Sequence, residues 1–152
     1  MKRVIKYRGR RTDGQGWAYG TPIQTHIGAC IVTEENPHIC SEYGYMEIDE
    51  YVEVESDTVT QFTGLVDIFG NDIYEGDILD TKTNEYCPNG YQFICEWIDS
   101  GFALYYQGMT YSGKMTNSWM NKYPLCQANV KDLGIIGNIF DNPELVKKDN
   151  PT

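Results

Sequence analysis

The sequence predicts a mostly-β protein, and three observations support this fold class. Short segments alternate apolar and polar residues, which is the period of a strand with one buried face. Turn signals built on Gly, Asn and Asp separate these segments, most densely in residues 61–79. The chain also has 12 tyrosines against 5 phenylalanines, and tyrosine suits half-exposed sheet faces. The predicted architecture is an N-terminal β-hairpin arm and meander, then a small, partly open, SH3-like β-barrel with a short C-terminal helix.

The predicted domain organisation has two lobes. A chain of 152 residues is long enough to bury one core or two small ones without a metal or a disulfide. The polar stretch 56–60 lies between two regions of strand-like pattern. We therefore predict an N-terminal lobe over residues 1–60, a C-terminal lobe over residues 61–148, and a frayed tail over residues 149–152.

The first predicted element is a hairpin. In residues 4–10, Ile5 and Tyr7 alternate with three cations, so the apolar pair belongs to one strand face and the cations to the other. The dipeptide Asp13-Gly14 supplies the backbone angles of a tight reversal, and Trp17 begins the returning strand.

Charge is distributed in two opposed blocks. The net charge is −10, yet six of the 12 basic residues fall in the first eleven positions. Residues 12–81 contain no Lys or Arg and fifteen Asp and Glu residues. Within this block Val52 and Val54 alternate with Glu53 and Glu55, which predicts a strand with an acidic outer face.

Two kinds of partner suit the basic first strand. As part of a two-stranded ribbon it fits the major groove of DNA, and by charge it also fits the acidic face of residues 47–57 in the same or another subunit. Because the whole-chain charge repels nucleic acid, we favour the acidic face. The candidate interaction residues of this pairing are Lys6, Arg8, Arg10, Glu47, Glu53 and Glu55.

Residues 61–79 predict short strands joined by tight turns. Five oxygen-bearing side chains in this segment invite a calcium or magnesium interpretation: Asp67, Asn71, Asp72, Glu75 and Asp77. Their spacing does not match an EF-hand loop. Asp and Asn beside Gly serve the backbone geometry of turns, so we predict turn chemistry and no metal here.

The C-terminal half predicts a second hairpin over residues 91–106 and a last buried strand over 133–140. Asn142 as N-cap and Pro143 at the first helical position predict one or two helical turns. Residues 107–129 lack a sustained period and predict a long loop with a short strand or helical turn. We expect core or interface packing, not a nucleic-acid stacking platform, for the aromatic residues Trp97, Phe102, Tyr105, Tyr106, Tyr111 and Trp119.

Motifs for catalysis, nucleotides and metals are absent from the sequence. The nearest approach to a zinc site is the set His26, Cys30, His38 and Cys40, but the order of these residues matches no common structural zinc spacing. The chain has no glycine-rich phosphate loop and no Gly-x-Ser-x-Gly elbow. We therefore expect no cofactor, no metal and no catalytic residue. A small hydrolase or nuclease stays open only if a cleft brings carboxylates and histidine together.

The five cysteines are odd in number, widely spaced and free of C-x-x-C pairs, which is typical of reduced thiols that pack as small hydrophobes. No apolar run of signal-peptide length follows Lys2 and Arg3. No stretch approaches the roughly 20 apolar residues of a membrane helix. We expect a cytoplasmic protein.

Four segments resemble, in order, the YopX-like family of bacteriophage and prophage proteins. They are KYRG with GWAYG (6–9 and 16–20), VTQFTGL (59–65), IYEGDI (73–78) and IGNIFDNPEL (136–145). The resemblance implies a largely β protein of the bacterial host cytoplasm, without an established activity and without catalytic residues. The chain departs from the family at residues 67–72, where similar proteins have a lysine-rich turn. Because Ile68 and Phe69 are apolar, we expect a neighbouring lobe or a second subunit to cover this turn.

Two functions from different classes fit these features. The first is a non-enzymatic phage accessory protein that acts as an oligomeric protein-interaction module, with the hairpin as docking arm and residues 61–142 as scaffold. The alternative is an acidic DNA-mimicking inhibitor or regulator of a host nucleic-acid enzyme. The expected partners are further copies of the chain or a host or phage protein, with no nucleic acid and no membrane.

Overall fold

The computed structural model describes residues 4–33, 38–40, 45–47, 50–81, 91–99, 101–106 and 122–146. In these residues the chain forms antiparallel β-sheets with one short α-helix and two 3₁₀ turns, which confirms the mostly-β class. The chain divides into two compact units, Met1–Phe62 and Thr63–Thr152. Within the described ranges, every helix is too short or too polar to cross a membrane.

The first unit is built on one antiparallel sheet. Its strands are β1 (Tyr7–Arg10), β2 (Trp17–Thr25), β3 (Gly28–Thr33), β6 (Tyr51–Val54) and the first residues of β7 (Thr60–Val66). They pair in the order β6-β3-β2-β1-β7, while β4 (His38–Cys40) and β5 (Tyr45–Glu47) pair with each other. A 3₁₀ turn, Ser56–Thr58, joins β6 to β7.

The predicted N-terminal hairpin is confirmed. Strands β1 and β2 pair with Tyr7 opposite Gly20 and Arg10 opposite Trp17. Asp13 shapes the reversal, because its Oδ1 accepts hydrogen bonds from the Gln15 amide and the Arg11 side chain, both at 3.0 Å. Ile5, predicted on the core face, lies before β1 and is exposed.

A second hairpin follows where the sequence predicts a buried strand over residues 27–32. Strand β3 begins at Gly28, and Ile27 is 86% exposed at the hairpin tip. The Thr25 hydroxyl donates to the Gly28 carbonyl at 2.9 Å and accepts from the Ile27 amide at 3.3 Å. Because these bonds close a two-residue loop, Ile27 stands in solvent while Ile31 is fully buried.

The core of the first unit lies on one face of this sheet. It contains Ala18, Ala29, Ile31 and Val54. The sheet is bent, so that the end of β1 lies beside the end of β6. There the Glu55 amide donates to the Arg10 carbonyl at 2.8 Å, and the Thr12 amide donates to the Glu53 carbonyl at 3.1 Å. The predicted alternation in β6 is confirmed, because Val54 is buried and Glu53 and Glu55 are exposed.

The second unit contains the end of β7, which is followed by β8 (Asp72–Tyr74), β9 (Asp77–Thr81), β10 (Gln92–Ile98), β11 (Gly101–Tyr106), β12 (Lys122–Pro124), α1 (Gln127–Val130) and β13 (Leu133–Asn138). Five strands form an antiparallel sheet in the order β12-β11-β10-β9-β13. The core residues are Ile73, Leu79, Cys95, Leu104, Val130 and Leu133.

Two finer predictions for this half are not confirmed. In the described residues the five-stranded sheet is open, with β12 and β13 as its edges, where a partly open SH3-like barrel was predicted. The predicted C-terminal helix is a single 3₁₀ turn, Pro143–Leu145. Asn142 does not cap it with its side chain, because its Oδ1 accepts from the Asn138 amide at 3.3 Å. Of the predicted loop 107–129, residues 107–121 lie outside the described ranges, and β12 and α1 occupy most of the remainder.

Candidate interaction surfaces

The cationic face of β1 packs against aromatic rings. The Lys6 Nζ lies 4.7 Å from the centre of the Phe62 ring, and the Arg8 guanidinium lies 4.6 Å from the centre of the Trp17 ring. Arg8 is only 7% exposed, and its Nε donates to the Thr60 hydroxyl at 3.3 Å. The three cations share one face, as predicted, but Arg8 is part of the packed sheet and does not present its charge to a partner.

Arg10 pairs with the acidic block of its own chain. Its Nη2 and Nε both reach Oε2 of Glu55, at 2.6 and 3.1 Å, and its backbone amide donates to the Thr58 hydroxyl at 2.8 Å. Both side chains are about two-fifths exposed, so the pair contributes at most about 1 kcal/mol. Glu53 is exposed on β6, and the side chain of Glu47 lies outside the described residues.

Replacing Arg8 by alanine should lower the free energy of unfolding of the first unit by about 2 kcal/mol, because the Trp17 face and the Thr60 hydroxyl lose a buried partner. Arg8→Lys should recover less than half of this loss, since an ammonium cannot stack as a plane. Urea unfolding measures both variants, with Arg11→Ala, at an exposed turn pair, as control. Equal losses for Arg8→Ala and Arg11→Ala would contradict the packing role.

A buried carboxylate organises the turn that carries Ile68 and Phe69. Asp67 is 5% exposed, and its Oδ1 accepts from the amides of Phe69 at 2.9 Å and Asn71 at 2.8 Å. Its Oδ2 accepts from the Asn71 side chain and from the Ile135 amide, both at 3.1 Å. Burial alone raises the pKa of the Asp67 carboxyl, but the bonds from Ile135, Asn71 and Phe69 outweigh burial and hold its pKa below the ordinary value.

The same turn rests on the edge strand β13. The Ile68 amide donates to the Leu133 carbonyl at 2.9 Å, and a Cβ built on Gly134 would lie 2.8 Å from the Phe69 ring. The turn therefore covers part of an open sheet edge, as folded proteins commonly require. Even so, Phe69 is 64% exposed and Ile68 is 40% exposed. These contacts lie within the second unit, so cover of the turn by a neighbouring lobe or a second subunit stays a prediction.

Asp77, a second carboxylate of this segment, also serves backbone geometry. Asp77 is buried, and its Oδ2 accepts from the Tyr74 amide at 2.7 Å, which closes the bend between β8 and β9. Among the described residues, no group of three His, Cys, Asp or Glu side chains is placed to hold a metal ion. Of the loose zinc set, His26 is at the exposed hairpin tip, and the side chains of His38 and Cys40 lie outside the described residues.

The cysteine and aromatic predictions are resolved in part. Cys95 is buried in the core of the second unit, whereas Cys126 is exposed and does not act as a core hydrophobe. Trp97 packs edge-on against Phe102, with ring centres 4.8 Å apart. Tyr111, Trp119 and the side chain of Tyr106 lie outside the described residues.

The sequence does not reveal a cleft in the first unit. This cleft has a volume of about 520 Å³, and its walls are the β2–β3 hairpin tip and the end of β6. Ile27 and Tyr51, both mostly exposed, lie at this cleft together with Glu53 and Glu55. The residues come from segments more than twenty positions apart, so only the alternating acids of β6 were visible beforehand.

Comparison with known proteins gives a family match and a similarity to a solved structure. The family model described as YopX protein matches residues 6–147. The chain is similar to the crystal structure of protein EF1440 from Enterococcus faecalis, with 23% identity and a TM-score of 0.63, over 96% of this chain and 100% of that one. At that identity the likeness concerns the fold alone. No curated protein matches the chain.

Proposed function

This chain belongs to the YopX family, and from that premise we propose that it is a phage or prophage accessory protein that acts as a non-enzymatic protein-interaction module and associates with further copies of itself. Its site of action in this proposal is the cytoplasm of the bacterial host. The observation that carries the proposal is the exposed pair Ile68 and Phe69 on a turn fixed by Asp67.

The turn has the properties of a preorganised contact. Burying the Asp67 carboxylate is costly unless its oxygens are fully hydrogen-bonded, and four bonds meet that condition. These bonds hold the backbone of an apolar turn on which Phe69 is mostly exposed and Ile68 is partly exposed. A partner that covers Phe69 gains apolar burial and pays little ordering entropy, because the turn is already held.

Two further apolar residues close to the turn in the chain, or on the strand that it contacts, are also exposed. Val66 directly precedes the turn, and Ile136 lies two residues beyond Gly134 on β13; both are exposed. The net charge of −10 makes copies of the chain repel one another. Copies therefore associate only where a local attraction outweighs this repulsion, and exposed apolar residues supply such an attraction.

Phe69→Ser should weaken self-association by about tenfold or more, because a contact that buries a phenylalanine gains about 1.5–3 kcal/mol. Sedimentation equilibrium of the full chain over a concentration series measures the change. Val4→Ser, at an exposed valine of the first unit, is the matched control and should leave the dissociation constant unchanged. The proposal fails if the native chain remains a monomer at all concentrations, or if both variants associate as tightly as the native chain.

The DNA-mimic alternative requires rows of acids on the surface. Several carboxylates of the acidic block do not present a free charge at the surface. Glu55 pairs with Arg10, Asp13 pairs with Arg11, and Asp67 and Asp77 are buried in turns. The Arg11 side chain, with help from the Gln15 amide, lowers the pKa of Asp13 to about 2. No observation favours mimicry over the interaction module, so we do not propose it.

A further inference from the structure

The cleft of the first unit has walls of different chemistry. On one side the hairpin tip projects Ile27, held by the Thr25 hydroxyl bonds that close its loop. On the other side stand Glu53 and Glu55. Tyr51 contributes an exposed aromatic ring, and the described lining residues include no Lys, Arg or His. The cleft therefore carries the charge of Glu53, while the charge of Glu55 is paired with Arg10, and apolar and aromatic surface lies beside them.

We propose that this cleft binds an arginine side chain carried on a segment of a partner protein. The proposal does not depend on the Ile68–Phe69 turn, which belongs to the other unit. The guanidinium would pair with the Glu53 carboxylate and stack on Tyr51, and its methylene stem would pack against Ile27.

Charge complementarity selects a cation as the occupant. Among the described residues, the side chain of Glu55 pairs with Arg10. Both Arg10 nitrogens reach Oε2 and neither reaches Oε1, so Oε1 has no bond from Arg10. Glu53 is exposed, and its carboxylate pairs with none of the described cations. An anion placed here would face the Glu53 carboxylate with no cation among the described lining residues, so the charge disfavours a phosphate or an acidic peptide as the ligand.

The chain's own described cations in this unit do not supply the ligand. They are already engaged within the chain, in the contacts Lys6–Phe62, Arg8–Trp17, Arg10–Glu55 and Arg11–Asp13. Withdrawing any of them would break a native contact. In this proposal the arginine belongs to a partner protein, and a planar guanidinium fits the aromatic wall better than a strongly hydrated ammonium.

The test uses the full ¹⁵N-labelled chain and a blocked glycine-flanked peptide with one central arginine as probe. Amide signals of Ile27, Cys30 and Tyr51 should shift on titration. The same peptide with citrulline, the neutral isostere of arginine, should bind at least about tenfold more weakly. Glu53→Gln should weaken the arginine peptide by about tenfold, whereas Glu144→Gln, an exposed acid of the second unit, should not change it.

Several outcomes would overturn the assignment. Equal binding of the arginine and citrulline peptides, or unchanged binding by Glu53→Gln, would remove the charge-based recognition. Agmatine binding as tightly as the peptide would indicate a site for free small cations. Self-association that disappears in Glu53→Gln would place a second copy of the chain in the cleft, whereas loss of self-association in Phe69→Ser alone would leave the cleft proposal intact. Spectra of the free variants confirm that each remains folded.

Discussion

Gly20→Ala is expected to destabilise the first unit by about 4 kcal/mol. Gly20 lies in the middle of the sheet, opposite Tyr7 on β1 and Thr33 on β3. Its φ is +155°, and a Cβ added here would overlap the Val32 carbonyl oxygen. A backbone atom of a paired strand cannot rotate away, so the β2–β3 pairing must shift. Urea unfolding and amide hydrogen exchange of Ile31, which is fully buried, measure the loss.

Gly101→Ala is the matched control for this glycine. Gly101 begins β11, and a Cβ built on it meets no atom within 4 Å. The change should therefore alter stability by less than about 0.5 kcal/mol. Similar losses for both variants would show that glycine content in general, and not the contact with the Val32 carbonyl, decides stability.

Local patterns were enough to predict much of the β architecture. The alternation of Val52 and Val54 with Glu53 and Glu55 indicates both the strand and its buried face, because burial on one side of a sheet imposes a period of two. The Asp13-Gly14 reversal and the turn carboxylate of Asp67 were likewise predicted from residues close together in the chain. These elements need no knowledge of distant partners.

Other features depend on contacts between distant residues. Arg8 looks like a surface cation by period alone, but it is buried because Trp17 and Thr60 meet on its face of the sheet. Ile27 looks like the start of a buried strand, but the Thr25 hydroxyl bonds the Gly28 carbonyl and closes a loop that contains Ile27, so the strand begins at Gly28. Likewise, the predicted helix after Asn142 shortens to a 3₁₀ turn, since the Asn142 Oδ1 accepts from the Asn138 amide at the end of β13 and does not cap the backbone of the turn.

The candidate sites show the same division. The Ile68–Phe69 turn could be predicted as notable because two apolar residues stand among turn residues within one short segment. The cleft could not, since Ile27 and Glu53 become neighbours only through the pairing of Cys30 with Glu53 in β3 and β6. Pairing between strands separated by a long connection leaves no local signature in the sequence.

Asp67→Ala is expected to lower the free energy of unfolding of the second unit by about 3 kcal/mol. The change removes the acceptor for the amides of Phe69, Asn71 and Ile135, so the turn loses its internal bonds and one of its hydrogen bonds to β13. Urea unfolding measures the loss, and hydrogen exchange of the Ile135 amide should accelerate. Asp132→Ala, at an exposed acid next to β13, should change stability by less than about 0.5 kcal/mol.

The charge of Asp67 makes this contribution depend on pH in a defined direction. The hydrogen bonds from Ile135, Asn71 and Phe69 hold its folded pKa below the unfolded value of about 3.9. A group with a lowered folded pKa stabilises the fold fully above its unfolded pKa and loses that contribution as the pH falls through the folded pKa. The stability difference between the native chain and Asp67→Asn should therefore stay constant from about pH 7 to pH 5 and shrink below about pH 4. Asparagine retains one acceptor oxygen of the carboxylate but has no charge to titrate. A stability difference between the two chains that stays constant down to about pH 2 would therefore mean that the charge of Asp67 does not contribute.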